Sequence, residues 1–235
     1  MAIELPKLNK VDLNKPKKKK ILLLSDDMRL HSGVGTMSKE LVLGTVHKYD
    51  WVQIGGAIKH PDQGKRFDLS VDTAKESGVQ DASVTVYPTD GYGNPDLLRQ
   101  IISIEKPDMI AHFTDPRFWG WLYNMEHEVR QKMPLMYLNI WDDLPYPHWN
   151  EDFYETCDLL MGISKQTVNI NRNVCQRKPR TTWDLTYVPH GIDDTKHYPI
   201  DINHPDFSKM YDFKTKLFGT DNHPEFIAFF NSRNI

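Results

Sequence analysis

Ile21-Leu-Leu-Leu-Ser-Asp-Asp-Met-Arg-Leu-His-Ser-Gly-Val-Gly-Thr-Met-Ser-Lys-Glu-Leu-Val-Leu43 decides the fold. Its first four residues are an apolar run of the kind that forms a buried strand. After the polar turn ending in Gly33-Val34-Gly35 the apolar spacing changes, and Val34, Met37, Leu41 and Val42 fall on one face of a helix. Strand, glycine turn and helix in that order open an α/β unit. Glycine lets a ligand come close to the backbone. The first N–H groups of a helix have no partner inside it and carry partial positive charge, so an anion such as phosphate is stabilised there. The same glycines also suit a tight turn that packs the helix on the sheet. Gly-X-Gly without a third glycine is a weak match to the dinucleotide fingerprint.

Working outward, apolar strands and amphipathic helices alternate. Further strands are expected at Trp51–Gly56, Val84–Tyr87, Met109–Phe113, Pro134–Ile140, Asp158–Ile163, Thr186–Val188 and Pro224–Phe230. Asn94-Pro95-Asp96 supplies a cap, a first-position proline and a first-turn acid to a helix whose apolar face is Leu97, Leu98, Ile101 and Ile102. Asp115-Pro116 starts another, with Phe118, Leu122, Met125 and Val129 as its face. Helices are also expected at Glu151–Thr156, Ser164–Val174 and Asp206–Phe218, whereas Ala57–Ser83 is polar and irregular, with room for one short strand. The alternation predicts an α/β protein with a doubly wound, mostly parallel, Rossmann-like sheet. Ligands of such sheets sit outside the carboxyl ends of the strands. The segments expected there are Ser25–Gly35, Gly55–Lys59, Tyr87–Gly91, His112–Arg117, Asn139–Tyr146, Ser164-Lys165 and His190–Asp193, and they hold most of the chain's unusual residues.

Composition narrows the class. The chain has 235 residues, 39% hydrophobic and 26% charged, with a net charge of −3. That is a globular composition, and it argues against general nucleic-acid binding. No apolar run approaches the ~20 residues that span a bilayer. Residues 1–19 form a basic, extended arm without the apolar core of a secretory signal, and Lys17–Lys20 are expected to be a solvated lead-in. Two cysteines make neither a disulfide framework nor a metal motif, so a reducing cytoplasm is the simplest compartment and no metal site is expected.

Three features resemble the N-terminal half of a GT-B glycosyltransferase of the retaining family-4 type. They are the strand–Ser32-Gly-Val-Gly35–helix opening, the segment Met161-Gly-Ile-Ser-Lys165, and Val188-Pro-His-Gly-Ile-Asp193, which is similar to the family's Ile-Pro-Asn-Gly-Val-Asp segment with His190 in place of asparagine. The last strand and Asn231-Ser232-Arg233 resemble the start of the family's second domain, with Ser232 where a glycine is usual. Residues 20–200 are thus expected to be the acceptor-side domain. Residues 201–235 are expected to be a linker helix and the first strand of a nucleotide-sugar domain that is cut short.

The resemblance implies transfer of a sugar from a nucleotide-diphosphate sugar to a hydroxyl-bearing acceptor, with retention at the anomeric carbon. It implies no cofactor, no metal, and little activity for this chain alone. Gly33, Val34 and Gly35 would offer backbone N–H groups to the donor phosphate, where preorganised donors stabilise a departing anion. A valine at Gly35 is expected to abolish transfer while leaving the fold largely intact. Arg233 resembles the arginine that grips the diphosphate, since a planar guanidinium can bind two oxygens at once.

Asp142 and His112 are the candidate catalytic groups. A carboxylate after the fifth strand can take a proton from an acceptor hydroxyl or bind sugar hydroxyls. A histidine in an apolar strand is more often structural, and Asp115 beside it reads better as a helix cap. Trp141, Asp143, Ser164, Lys165, His190 and Gly191 are expected to line the cleft, although Ser164 is equally explained as a helix cap and the Trp141 loop as one that packs its own aromatics. Two other classes compete: a non-catalytic α/β module that binds a sugar or phosphate, and a nicotinamide-binding domain. The latter is disfavoured because Gly55-Gly56 stand where an acid should end the second strand. Donor sugar, base, acceptor and oligomeric state have no readable code.

Overall fold

The computed structural model describes residues 17–61, 63–175, 184–219, 224 and 226–228. Two compact units divide between His190 and Gly191. The first runs β1 (Lys19–Asp26), α1 (Gly33–Thr45), β2 (Tyr49–Gly56), β3 (Phe67–Asp68), α2 (Ser70–Ser77), β4 (Val84–Pro88), α3 (Pro95–Glu105), β5 (Met109–Phe113), α4 (Gly120–Asn124), α5 (Glu126–Arg130), β6 (Leu135–Asn139), α6 (Glu151–Glu155), β7 (Leu159–Gly162), α7 (Lys165–Cys175) and β8 (Asp184–Tyr187). The described part of the second holds α8 (Phe207–Phe218).

Among the described residues eight strands form one sheet in the order β3-β4-β2-β1-β5-β6-β7-β8. Every pairing is parallel except that of β3 with β4. The chain winds away from β1 through β2 and β4 on one side, then crosses to β5 and winds through β6, β7 and β8 on the other. The predicted α/β doubly wound sheet is therefore present, and its topological switch point lies between β1 and β5.

Successive side chains on a strand point to opposite faces. On β1, Leu22 and Leu24 enter a core layer with Leu98, Ile101, Trp119, Leu122 and Ile170, while Ile21 and Leu23 enter a second layer with Val42, Val46, Trp51 and Phe113. Helices cover both faces, which explains why the strands read as continuous apolar runs. Val34, Met37 and Leu41 pack beside buried Val42, as their spacing predicts. Asn94 accepts the Leu97 N–H at 3.0 Å and Pro95 opens α3, again as read from sequence.

Four expectations fail locally. The polar stretch before β4 contains α2 as well as β3. Only Thr73 of α2 is buried, so the helix carries almost no apolar stripe, and Gly78 ends it in a left-handed conformation (φ 74°). The helix expected after Asp115 is broken into a turn of 3-10 helix, Pro116–Trp119, then α4 and α5, with Met125 leaving helical geometry between them. That break puts Trp119 in the core and leaves Phe118 54% exposed. The strand expected at 224–230 falls partly outside the described residues, and Pro224 and Phe226–Ala228 belong to no strand.

The fourth concerns the lysine run, in which Lys17 and Lys19 are exposed as expected but Lys18, Lys19 and Lys20 are paired rather than only solvated. Lys18 reaches the Val46 carbonyl (2.9 Å) and Asp81 (3.1 Å), Lys19 pairs with Asp108 (2.8 Å), and Lys20 pairs with Glu105 (3.0 Å). Together they tie the amino edge of the sheet. Glu105, 9% exposed at the end of α3, also accepts from the Tyr87 hydroxyl (2.7 Å) and from Arg66 (3.2 Å). Burial raises its pKa, but these partners outweigh burial and hold it below the usual carboxylate range. Glu105→Gln should lower the stability by about 1–2 kcal/mol, the figure being held down by the solvent contact that Lys20 and Arg66 keep. An unshifted urea midpoint would show that the cluster contributes nothing.

Candidate functional site

The carboxyl edge begins where β1 runs out. Gln53, buried on β2, donates to Ser25 Oγ (2.8 Å) and to the Asp26 carbonyl (2.9 Å), and accepts the Met28 N–H (3.0 Å). Ser25 Oγ also meets Ser38 Oγ of α1 at 2.9 Å. These bonds fix the turn after β1 from both sides. Asp27 is fully buried and chelated by Arg29, with Nε at 2.9 Å and Nη2 at 2.6 Å. It lies over Gly55, where a Cβ would stand 2.7 Å from Oδ2, so the glycine that breaks the nicotinamide pattern is there to admit this carboxylate.

Ser32 caps α1: its Oγ accepts the Gly35 N–H at 3.0 Å and its carbonyl accepts the Thr36 N–H at 2.9 Å. The Gly35 donor is thus already used. A Cβ at Gly35 would lie 2.7 Å from the Leu30 carbonyl oxygen and 2.9 Å from that of Asp27. Gly35 is a close-packing glycine beneath the turn. Gly33 is different, being exposed with open space around it. Among the described residues the Gly33 and Val34 N–H groups have no acceptor, so the open part of the glycine loop is its first two residues.

Asp26 was not singled out from sequence, and it is the most distinctive group on the edge. It ends β1 opposite Gly56, half-buried, between the hydroxyls of Ser32 and Thr114. Burial raises its pKa against the lowering effect of those hydroxyls, and its Oδ1 is closed to solvent with no hydrogen-bond partner. Tyr92 faces it from the turn after β4. Burial, then the charges of Asp26 and Asp115, push the Tyr92 phenol up. Tyr92 is stacked on Phe118 at 4.8 Å. Next to it Ala57 takes a left-handed conformation (φ 61°) and donates to the Gly91 carbonyl at 2.7 Å, a strained arrangement of the kind that collects at functional edges. An open hollow of about 330 Å³ lined by Lys59, His60, Pro61, Gln63 and Asp90 adjoins this turn. The one sequence signal for Asp26 was its place as the first of two acids after an apolar strand, and that signal does not say which acid is paired.

Across the switch point, His112 is enclosed at 1% exposure. Its Nδ1 meets the Tyr123 hydroxyl at 2.6 Å, its ring stacks on Tyr137 at 5.0 Å, and Nε2 has no partner. Burial drives its pKa down to about 3. It lies beneath the edge rather than on it, because its side chain points into the core layer beside Trp119. Asp115 caps the 3-10 turn by accepting the Arg117 N–H (3.0 Å) and pairs with the Arg117 side chain. Arg117 lies over the Trp141 ring, 5.5 Å from its centroid.

The turn after β6 hangs on Asn139, which is buried and bonded to Asn171 (2.5 Å), the Tyr137 hydroxyl (3.2 Å) and the Trp141 N–H (3.0 Å). Trp141 Nε1 donates to the Asp143 carbonyl at 2.9 Å, and Gln166 Nε2 donates to the Asp142 carbonyl at 2.7 Å. Both aspartates are exposed; the Asp143 carboxylate accepts the Leu144 N–H (2.8 Å), while among the described residues no partner orients that of Asp142. Ser164 is the cap of α7, accepting the Thr167 N–H at 2.9 Å, and Lys165 is exposed. His190 sets its ring edge-on to Phe113 at 6.0 Å, which brings the end of the first unit to the end of β5. Gly191 is exposed in the second unit, and Arg233 lies outside the described residues. Among the described residues no group of three His, Cys, Asp or Glu side chains is arranged to hold a metal ion, and no helix is long and apolar enough to cross a membrane.

No protein-family model matches the chain, and no curated protein matches it. Among solved structures it is similar to one described as "Trehalose-6-phosphate from E. coli bound with UDP-2-fluoro glucose", with a TM-score of 0.49 and 12% identity over 85% of this chain and 55% of that one. This chain therefore spans little more than half the length of that protein.

The edge forms a continuous row of neighbours. Asp26, Ser32 and Thr114 meet at the switch point, Tyr92 and Asp115 flank them, and Arg117 carries the row to Trp141. Chemically the row offers carboxylates and hydroxyls for hydrogen bonding and a guanidinium–indole plate for an apolar ring face.

Proposed function

We propose that this chain is the acceptor-side part of a retaining glycosyltransferase that takes its sugar from a nucleotide-diphosphate sugar, as the motifs at Ser32–Gly35, Met161–Lys165 and Val188–Asp193 suggest. The observation that carries the reading is the row along the carboxyl edge, where hydroxyl-binding carboxylates and an aromatic plate stand together at the switch point of the sheet. A pyranose presents the matching surface, with hydroxyls on its rim and an apolar ring face. Asp142, exposed on the turn held by Asn139 and Gln166, is the group in this proposal that would accept the acceptor's proton. His112 supports the edge from below without touching substrate.

Incubation with a panel of nucleotide sugars tests this, with bound sugar followed by NMR and released or transferred sugar by chromatography. Binding of at least one member is expected. If none binds or reacts, the glycosyltransferase reading falls. A second reading, a module that binds sugar without chemistry, is favoured by the enclosure of His112 and the unsupported carboxylate of Asp142. Binding without turnover, in any longer form of the protein, would select it.

A further inference from the structure

The first turn of α1 is expected from sequence to hold phosphate, but its surroundings oppose an anion. Gly33 and Val34 present N–H groups without acceptors, yet the adjacent charge is the Asp26 carboxylate, beside the hydroxyl of the α1 cap itself. Among the described residues no lysine, arginine or histidine pairs with Asp26, and the neighbouring Tyr92 lies in the field of two acids, Asp26 and Asp115. The neighbouring Asp27 shows what compensation looks like here, with two bonds from Arg29. A full negative charge outweighs the roughly half unit of positive charge at a helix N-terminus. A phosphate brings only acceptors and more negative charge. A sugar hydroxyl both donates and accepts, so it can donate a hydrogen bond to the Asp26 carboxylate and accept one from the Gly33 or Val34 N–H.

We propose that the switch-point site formed by Asp26, Ser32, Thr114 and the Gly33–Val34 amides recognises a neutral sugar hydroxyl, with Asp26 as the specificity-determining group, and that the diphosphate of a nucleotide sugar is held elsewhere. This rests on the sugar-transfer reading and deepens it. Gln53 is the positioning residue, since it donates to the Ser25 hydroxyl on one side of Asp26 and to the Asp26 carbonyl on the other.

The test uses the whole chain labelled with ¹⁵N, with glucose and inorganic pyrophosphate as probes and the Gly33 and Val34 amide resonances as the readout. Glucose should shift both amides in a saturable way, and pyrophosphate at equal concentration should not. Asp26→Asn should weaken the glucose response at least about tenfold, the loss expected when a hydrogen bond to a charged group is removed, and should admit pyrophosphate to the same amides. Asp26→Ser provides a second variant of smaller size. Should both variants fail to fold, the wild-type comparison still decides. Pyrophosphate shifting the wild-type amides, glucose leaving them unmoved, or a folded Asp26→Asn protein that binds glucose as before would each overturn the proposal. Failure of every nucleotide sugar in the panel while glucose still shifts Gly33 and Val34 would remove the transferase reading and leave the hydroxyl site in place.

Discussion

Gly35→Val will unfold or severely destabilise the protein rather than simply silence its edge. The new Cβ would approach the carbonyl oxygens of Leu30 and Asp27, at 2.7 and 2.9 Å. Neither oxygen can yield cheaply. The Leu30 N–H is bonded to the Asp27 carbonyl (2.9 Å), the Asp27 N–H to the Gly56 carbonyl (3.0 Å), and Gln53 clamps the residues on either side. The helix must move instead, which pulls Ser38 from Ser25 and Val42 from its core layer. Overpacking of this kind costs about 3 kcal/mol or more, and valine adds two methyl groups to the clash. The sequence-based expectation of lost transfer with an intact fold is therefore reversed. Gly33→Ala is the matched control: nothing lies within 4 Å of its Cβ, and alanine suits a helix better than glycine. Urea unfolding of the two variants separates the cases, and a wild-type midpoint for Gly35→Val would refute the packing role.

The second large effect is a loss of stability in mild acid that originates at His112. Its folded-state pKa, about 3, lies below the ordinary value of 6.5 because burial disfavours the imidazolium. Above pH 6.5 the ring is neutral in both folded and unfolded chains and the contribution is flat. Between 6.5 and 3 the unfolded chain takes up a proton that the folded chain refuses, so folding stability falls as pH falls, by about 1.4 kcal/mol per pH unit. Below pH 3 both states carry the proton and the loss stops growing. His112→Asn removes this titration, so its stability should decline less steeply than that of the wild type between pH 6 and pH 4. Urea midpoints in that range measure the difference, and parallel curves would show that His112 takes up its proton without unfolding.

These two positions also show where sequence was readable. The apolar run Ile21–Leu24 and the helical spacing of Val34 to Val42 specify strand and helix because burial on both faces of a parallel sheet leaves a strong pattern. Asn94 and Ser164 were legible as caps because capping is local chemistry. α2 was hidden because one buried threonine makes no stripe. The role of Gly35 was hidden because a glycine that admits a ligand and one that admits a neighbouring carbonyl are written the same way. Asp26 and Asp27 are adjacent and identical in type, yet one is neutralised by Arg29 and the other is not. Which of the two Arg29 takes depends on how β1 ends, with Asp27 turned over Gly55 of β2 and Asp26 set between Ser32 and Thr114, and no local pattern encodes that placement.

The ionic ties made by Lys18, Lys19 and Lys20 give the two ends of the sheet different vulnerabilities. Concentrated salt should loosen the lysine end by screening its exposed pairs, while the opposite rim, held by packed rings, buried hydrogen bonds and the buried Asp27 carboxylate paired with Arg29, is screened less and keeps its shape. A mutational library meant to alter ligand preference therefore belongs on that rim alone, and one meant to harden the protein against brine belongs where the four lysines enter.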